Sequence, residues 1–543
     1  MGPNLAREIL EPNDSDGFNE RNIKQNPSSI FIRKVKENEI IEIVKKFQNK
    51  RSTDSNDIDM MLIKEIIHSI VTPFTYICNL SFLTGIFPSM MKTAKVIPIF
   101  KSGDKSQFTN YRPISLLSQF SKILEKLFVV RLDNFIDKHN ILSTHQYGFR
   151  SNTFTSMAVM ELVEQITTAI NDKLYTVGVF IDLRKAFDTI HHGLLLKKLD
   201  RYGVRGTANQ WLESYLSDRL QYVHINNVDS DKEHITFGVP QGSVLGPKLF
   251  ILYINDVCDI LKQMSCVLFA DDTSLCCSGE HLDQLLNTVQ NELTILKKWF
   301  DVNKLSLNIN KTKFIIFGNR KIDREPKIMI NEVQLERVFE NKFLGITIDN
   351  KLNWKSHINN LRLKLSRTIA VMNKTKNILN TKSLYLLYCS LVLPHISYCV
   401  EVWGNNYKTV INPIFLLQKK AIRIVSKTDY YSPTNPLFIE LKTLKLLDLV
   451  DLNTALLMYK AHNHLLPVCI QSLFQARDSR YDLRGTAIYK RTKSRINIKE
   501  RCISAIGVKI WNSLDNELKN CSSINTFKKM YKSNIIDRYR LLL

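Results

Sequence analysis

The feature that most constrains this chain is a pair of adjacent acids, Asp271-Asp272, between two short apolar runs. Residues 265–269 precede the pair and residues 273–277 follow it. Two β-prone runs on either side of a short polar break predict a β-hairpin with the acids at its tip. Asp is common in turns, so the tip could simply be polar. Two carboxylates about 4 Å apart also repel each other by about 4 kcal/mol at an effective dielectric constant of 20, so the tip could instead hold a cation.

The 543-residue chain is strongly basic, with 75 Lys and Arg against 52 Asp and Glu, a formal net charge of +23 and a pI near 9.4. An excess of this size favours a polyanionic partner, most simply nucleic acid. Ten cysteines without a C-x-x-C pair predict buried thiols in a reducing, intracellular compartment. The N-terminus lacks a signal peptide, and residues 383–400 are barely long enough to span a bilayer and contain Pro394. We therefore expect no membrane association and a buried helix broken near Pro394.

Composition divides the chain into four parts. Residues 1–55 are polar and short of apolar periodicity, which predicts a disordered or linker-like lead-in. Residues 56–320 contain the strands and turns considered below. Residues 321–400 end in a segment, 351–400, with eight Lys or Arg and no acid, which is a candidate for gripping a phosphate backbone. Residues 401–543 are helical in pattern, and their basic cluster at 490–495 could contact RNA, direct nuclear import or be plain surface.

Basic residues lie in three loops upstream of the acid pair. Residues 94–100 predict a strand that leads into a Gly-containing loop with Lys101. Residues 110–117, which include Arg112, predict a turn that enters a helix to about residue 139, and the loop 146–150 ends in Arg150. Such loops can hold phosphates, although Lys and Arg side chains are most often only solvated.

A nearly continuous apolar run, 175–181, predicts a buried central strand that ends at Asp182. A helix carrying Phe187 is expected to follow directly and to reach about residue 202. An acid at this place either caps the helix or serves as a metal ligand. A Gly- and Pro-rich loop, 238–247, contains Gln241 and opens a predicted helix to about residue 261.

In this order the motifs resemble the palm of a reverse transcriptase, and more closely a non-LTR (LINE-type, jockey-like) retrotransposon polymerase. The similarity rests on segments 110–115, 146–150, 180–188, 238–243, 269–272, 308–312 and 343–345. It implies an α+β, right-hand polymerase fold with fingers, a palm built on a small antiparallel sheet, and a thumb, followed by a mainly helical C-terminal region. Fingers and palm would occupy 56–320, and a primer-grip-like palm end and the thumb 321–400.

The resemblance also implies roles for single residues. Asp182, Asp271 and Asp272 would hold two Mg²⁺ ions, with the backbone carbonyl of Leu183 as a further ligand, because Mg²⁺ prefers hard oxygen donors. Lys311 matches a lysine proposed as the proton donor to the leaving pyrophosphate, with Lys313 as the alternative. The residues assigned to the incoming nucleotide are Lys101, Arg112, Arg150, Phe187 and Gln241. Among these, Phe187 falls at the position that excludes a ribose 2′-hydroxyl, although it could instead be an ordinary core residue.

The implied activity is RNA-directed DNA polymerisation, in which dNTPs are added to a DNA primer on an RNA template. The endonuclease that precedes the polymerase in such elements is missing, so we expect an N-terminally truncated copy. The alternative is an inactive RNA-binding remnant or a domesticated retroelement protein. An intracellular location, in a cytoplasmic ribonucleoprotein, the nucleus or both, is expected, and the sequence predicts no oligomeric state.

Overall fold

A computed structural model of the protein describes residues 23–477 and 488–541. These residues form two compact units, each of which mixes helices and strands, in agreement with the predicted class. Unit 1 contains the described residues of Met1–Phe149 with Asp182–Lys262 and Glu292–Asn308. Unit 2 contains Arg150–Ile181, Gln263–Asn291 and the described residues of Ile309–Leu543.

The strands form one sheet in unit 1, and one sheet and two hairpins in unit 2. Numbered along the described chain, they are β1 (Thr93–Phe100), β2 (Tyr111–Leu117), β3 (Tyr175–Ile181), β4 (Arg219–Ile225), β5 (Val228–Asp229), β6 (Glu233–Ile235), β7 (Ser265–Phe269), β8 (Asp272–Gly279), β9 (Lys313–Phe317), β10 (Met329–Ile330), β11 (Val333–Gln334), β12 (Glu336–Arg337), β13 (Glu340–Phe343) and β14 (Ile346–Asp349). The sheet of unit 1 has the order β2-β1-β4-β5, with β6 paired to β4. The sheet of unit 2 has the order β12-β9-β3-β8-β7, beside the hairpins β10-β11 and β13-β14.

Helices make up most of the remaining described chain. Those of unit 1 are Glu37–Lys46, Met60–Thr84, Gln119–Lys138, His192–Tyr202, Thr207–Leu216 and Gly246–Tyr253, and Leu282–Val302 has residues in both units. Those of unit 2 are Thr155–Asn171, Lys355–Thr375, Thr381–Leu387, Leu393–Ser397, Val400–Trp403, Lys408–Val425, Thr434–Glu440, Leu446–His462, Val468–Gln471, Asn497–Glu500, Ile503–Asn512, Asn516–Lys519 and Ile524–Leu541, with a π-helical segment at Tyr388–Val392. The helix expected to run to residue 261 therefore ends at Tyr253, and a short 3₁₀ turn, Asn255–Cys258, follows it.

The core of unit 1 is built around Trp211, which is fully buried. Its ring stacks on Phe128 with centroids 4.4 Å apart, and its indole N–H donates to Ser81 Oγ at 2.9 Å. Ser81 lies on the helix Met60–Thr84, which ends where Gly85 adopts φ 70°, as the Gly-containing break predicted. By length and composition this is the one described helix that could cross a membrane, a property that core helices of soluble proteins share.

The prediction of a disordered or linker-like lead-in is wrong for part of residues 1–55. Residues 1–22 lie outside the described chain, but Glu37–Lys46 forms a helix that packs on Met60–Thr84. Its buried residues are Ile40, Ile43 and Val44. The guanidinium of Arg131, which is buried, binds both carboxylate oxygens of Glu39 at 2.8 and 3.0 Å. The short apolar stripe and this bidentate ion pair hold the helix in place, although the polar composition of the segment suggested disorder.

The C-terminal region packs within unit 2 on the helix Thr155–Asn171, which itself contacts β3, β7 and β8. The buried Glu164 carboxylate accepts hydrogen bonds from Lys499 Nζ at 2.5 Å and from the backbone N–H of Ser504 at 2.8 Å. The guanidinium of Arg495 donates to the carbonyls of Asn171 and Ile170 at 2.8 and 2.9 Å. Arg495 of the basic cluster therefore caps a helix C-terminus.

Two sequence-based expectations for residues 351–400 have different outcomes. The predicted basic helical segment is confirmed, because Lys355–Thr375 buries one apolar face, in contact with the helix Lys408–Val425, and exposes Arg362, Lys364 and Arg367 on the other. The predicted break near Pro394 is a local change of helix type and not an interruption. The π-helical segment Tyr388–Val392 precedes Pro394, the helical run continues through it to Ser397, and the chain turns at Cys399 with φ 49°.

Candidate active site

The two acids lie at the tip of a tight hairpin in unit 2, as predicted. Strands β7 and β8 pair as far as Phe269 and Asp272, which leaves Ala270 and Asp271 as a two-residue turn. Ala270 has φ 57°, a left-handed conformation that costs an alanine about 1 to 3 kcal/mol. Both Asp271 and Asp272 are exposed. The chain thus keeps a strained turn at the point where it presents two carboxylates.

The predicted central strand, β3, is confirmed. It lies between β8 and β9 in the sheet of unit 2, and Val177 and Val179 are fully buried. The pairing with β8 is antiparallel and ends at Ile181 opposite Thr273. The last residue of β3 is therefore paired with the residue that follows Asp272.

Asp182, the first residue after β3, belongs to unit 1 and is held by Asn308. The Asn308 backbone N–H donates to the Asp182 carbonyl at 2.8 Å, and its side-chain amide donates to Asp182 Oδ2 at 2.9 Å. On the other side of Leu183, the Arg184 N–H donates to the Ser306 carbonyl at 2.8 Å. Neither backbone bond uses the Leu183 carbonyl oxygen. No role was assigned to Asn308 from the sequence, although it begins the motif 308–312.

The helix predicted directly after Asp182 does not form there. Lys185 has φ 47°, only a 3₁₀ turn, Ala186–Asp188, follows, and the next helix begins at His192. Asp182 is therefore not a helix cap. Phe187 lies in the 3₁₀ turn, half-buried, with its ring stacked on Phe250 at a centroid distance of 4.5 Å.

The Gly- and Pro-rich loop of unit 1 fixes the orientation of Gln241. The side-chain amide of Gln241 donates to Asp188 Oδ1 at 2.9 Å, and the backbone carbonyl of Gln241 accepts the backbone N–H of Ser115 at 2.7 Å. Gly242 has φ 130°, and a Cβ there would lie 2.5 Å from the Ser115 carbonyl oxygen, while a Cβ at Gly238 would lie 2.8 Å from the backbone of Asp188. Burial raises the pKa of the Asp188 carboxyl, and the bond from Gln241 partly offsets this. Both glycines thus permit a close backbone approach that anchors the loop.

Arg112 lies on a β-hairpin rather than in a turn, whereas Lys101 lies in the loop directly after β1, as predicted. Residues 111–117 form β2, which pairs with β1 along its whole length, and this pairing overrides the local turn signal. Arg112 is opposite Ile99, and the Lys101 N–H donates to the Asn110 carbonyl at 2.8 Å. Both side chains are exposed, next to the paired end of the hairpin.

The remaining predicted residues lie in unit 2. Lys313, at the start of β9, is ion-paired with Glu336 at 3.0 Å, whereas Lys311 lies exposed in the preceding turn. The two lysines therefore differ in that Lys313 has an acidic partner at this distance. Arg150 is half-buried, and its carbonyl accepts the Thr153 hydroxyl at 3.0 Å.

Comparison with known proteins gives consistent similarities. Residues 100–348 match the family described as reverse transcriptase (RNA-dependent DNA polymerase). Three relatives are from Drosophila melanogaster. The probable RNA-directed DNA polymerase from transposon BS is 31% identical over 74% of the chain, the RNA-directed DNA polymerase from mobile element jockey 28% over 76%, and the probable RNA-directed DNA polymerase from transposon X-element 26% over 76%. The chain spans about half of each relative, 46% of its length.

Proposed function

The chain belongs to the reverse transcriptases of non-LTR retrotransposons, and from this premise we propose that it is an RNA-directed DNA polymerase. Its substrates would be dNTPs, a DNA primer and an RNA template. The single observation that carries this proposal is the strained hairpin tip with Asp271 and Asp272 beside the end of β3, inside the segment that matches the family.

The proposed metal ligands are Asp182, Asp271 and Asp272, with the Leu183 carbonyl. Ile181 and Thr273 are paired in the sheet, and Asp182 and Asp272 are their chain neighbours. Asp271 and Asp272 are exposed and Asp182 is half-buried. Carboxylates and a backbone carbonyl are the hard oxygen donors that suit Mg²⁺, so the donor types match the two ions that we propose.

The bound ions would lower the pKa of the primer 3′-hydroxyl and neutralise charge on the triphosphate. The chain's own contribution is to hold the ligands still. Asn308 fixes Oδ2 of Asp182, and the hairpin fixes the backbone of Asp271 and Asp272. Charged ligands that are already held in place need no rearrangement during the reaction. This preorganisation is the main source of electrostatic catalysis.

The proposed nucleotide site uses residues of unit 1. Lys101, directly after β1, and Arg112, on β2, are both exposed and would bind the triphosphate. Gln241, locked by Asp188 and Ser115, would lie against the nascent base pair, and Phe187 would exclude a 2′-hydroxyl.

In unit 2, Arg150 would contribute to nucleotide binding, and Lys311 would donate a proton to the leaving pyrophosphate. The pairing of Lys313 with Glu336 supports this choice between the two lysines.

The units also suggest the larger architecture. The mixed sheet of unit 1 would belong to the fingers, and the sheet of unit 2, antiparallel except for the pairing of β12 with β9, to the palm. Lys355–Thr375 would belong to a thumb whose basic face grips the template–primer duplex. The location that we propose is intracellular, in a cytoplasmic ribonucleoprotein, the nucleus or both.

Primer extension on poly(rA)/oligo(dT) tests the proposal. The purified chain should incorporate dTTP in the presence of Mg²⁺ and stop when EDTA is added. Duplex binding without incorporation, in protein that melts cooperatively, would contradict the polymerase proposal and support an RNA-binding remnant.

A further inference from the structure

Two adjoining clefts in unit 2 have no part in the proposed chemistry. Cleft A, of about 450 Å³, lies at the start of the helix Lys355–Thr375, and cleft B, of about 470 Å³, lies beside β9 and β12. The polar and aromatic residues of cleft A include Lys351, Asn353, Lys355, Asn406, Tyr407 and Arg501. Those of cleft B include Tyr175, Asn319, Arg320, Arg337, Phe339 and Lys351. The clefts share Asn319 and Lys351, so they border each other, and together they are called the depression below.

Stacked pairs of arginine and aromatic side chains line this depression. The pairs are Arg501 over Tyr407 at 3.2 Å, Arg320 over Tyr175 at 4.4 Å and Arg337 over Phe339 at 5.1 Å from the ring centroids. Despite this cover, Tyr407 is 49% exposed and Phe339 is 63% exposed. Exposed aromatic rings next to guanidinium groups are the surfaces on which unpaired bases stack.

The charge around the depression favours an anionic ligand. Among the residues that line either cleft, Glu164 is the single acid, and it is buried against Lys499 at 2.5 Å. Nearby, the Asp349 carboxylate accepts the backbone N–H groups of Lys351, Asn353 and Trp354 at 2.8–3.1 Å, so it shapes the rim. The rim cations are therefore left to interact with phosphates.

The interior of cleft A is apolar enough for a base. Met160, Val163, Ile498 and Ile503 line it, beneath the polar rim. A volume of about 450 Å³ lies within the usual range of small-ligand sites. A ligand with a flat apolar part and a phosphate at each repeat matches both the interior and the rim.

We propose that clefts A and B form a track for single-stranded nucleic acid, with bases stacked on Tyr407 and Phe339 and phosphates bound by the neighbouring Lys and Arg. This inference extends the proposed function, because it gives the enzyme a grip on a strand outside the template–primer duplex. It needs no metal and no polymerisation, so binding tests it directly.

The test is fluorescence anisotropy with labelled oligo(U) RNA and oligo(dT) DNA, each of 20 nucleotides, without dNTPs. Tyr407→Leu should weaken binding about tenfold, because it removes a ring on which a base would stack. Arg337→Gln should weaken binding and also lower the slope of log affinity against log salt concentration by about 0.7. The controls are Tyr431→Leu, at a tyrosine 90% exposed elsewhere in unit 2, and Arg540→Gln, at an exposed arginine on its C-terminal helix.

The track would be supported if the cleft variants lose affinity for the oligonucleotides and the control variants keep it. All variants should melt within a few degrees of the parent. A loss confined to RNA, confined to DNA or equal for both would identify the bound strand. Unchanged affinity of both cleft variants, or equal losses in the controls, would overturn it. The parent protein could bind oligo(U) through Tyr407 and still fail to extend a primer. That result would overturn the polymerase proposal and leave the single-strand track supported.

Discussion

The side-chain amide of Asn308 donates a hydrogen bond to Oδ2 of Asp182 at 2.9 Å, and the Asn308 backbone N–H donates to the Asp182 carbonyl at 2.8 Å. One residue thus fixes both the backbone and the carboxylate of another. An oxygen that accepts an amide N–H points its remaining lone pairs in a defined direction. Asn308 is therefore a positioning residue for a proposed metal ligand.

Asn308→Ala should lower kcat by about 10- to 100-fold, as is typical when a partner of a metal ligand is removed. The Mg²⁺ concentration for half-maximal activity should rise, because the carboxylate is no longer held, and the Kd for primer–template should stay the same. Steady-state extension over a Mg²⁺ titration measures both quantities. Asn310→Ala, at an exposed site two residues away, is the control. An equal loss there, or a normal Mg²⁺ dependence in Asn308→Ala, would argue against positioning.

Asp271→Asn and Asp272→Asn should each reduce nucleotide addition by at least about 100-fold, because each removes a charge proposed to stabilise the transition state. Both side chains are exposed at a hairpin tip, so the melting temperature should hardly change. Affinity for RNA should also stay the same. Extension by the Asp272→Asn protein within a few-fold of the parent would refute the metal assignment.

Phe187→Val should raise the ratio of rNTP to dNTP incorporation, because a smaller side chain leaves room for a 2′-hydroxyl. Phe187 also stacks on Phe250, so truncation should cost about 1 to 4 kcal/mol of stability. The ratio, measured at a temperature where both proteins are folded, separates the two effects. Phe135→Val, at a buried site on the helix Gln119–Lys138, should lower the melting temperature without moving the ratio. A lowered melting temperature with an unchanged ratio in Phe187→Val would mean that Phe187 is only a core residue.

Combined replacement of Arg362, Lys364 and Arg367 by Gln should weaken binding of the primer–template duplex. Each lost phosphate contact should reduce the log–log salt slope by about 0.7 to 0.9. The three side chains are exposed on the solvent face of Lys355–Thr375, so the fold should be unaffected. Replacement of Lys528, Lys529 and Arg540 removes the same charge from another exposed helix face and should leave the slope unchanged. Equal slopes for the two triple variants would contradict a specific grip.

Stability below neutral pH should depend on His357. Burial against Trp403 lowers the pKa of His357 to about 4, from an ordinary value of 6.5. Because the unfolded chain binds the proton first, unfolding becomes easier as pH falls from 6.5 towards 4, by about 3 kcal/mol from this group. His357→Gln should remove that dependence. Urea midpoints at pH 7.0, 5.5 and 4.5 measure it, and parallel curves for parent and variant would show that His357 does not contribute.

Local sequence signals were sufficient to predict the elements whose structure depends mainly on residues close in the chain. The hairpin around Asp271, the strand before Asp182 and the helix that stops at Gly85 were all predicted from apolar runs and turn residues. The same signals were misleading at 110–117, which were predicted as a turn and a helix start. Pairing with β1 makes residues 111–117 a strand instead. They also missed Glu37–Lys46, whose polar composition is offset by burial on a neighbouring helix.

The sequence by itself determined the class of the fold, the family and the residue types of the proposed site, because motif order and spacing are properties of the chain. Only the tertiary structure decided how those residues are held. Asn308 binds Asp182 across 126 positions, and Gln241 binds Asp188 across 53. Lys313 is occupied by Glu336, and Phe187 lies on a 3₁₀ turn against Phe250. Such contacts depend on packing between distant segments, and no local pattern encodes them, because their free energy appears only when the segments meet.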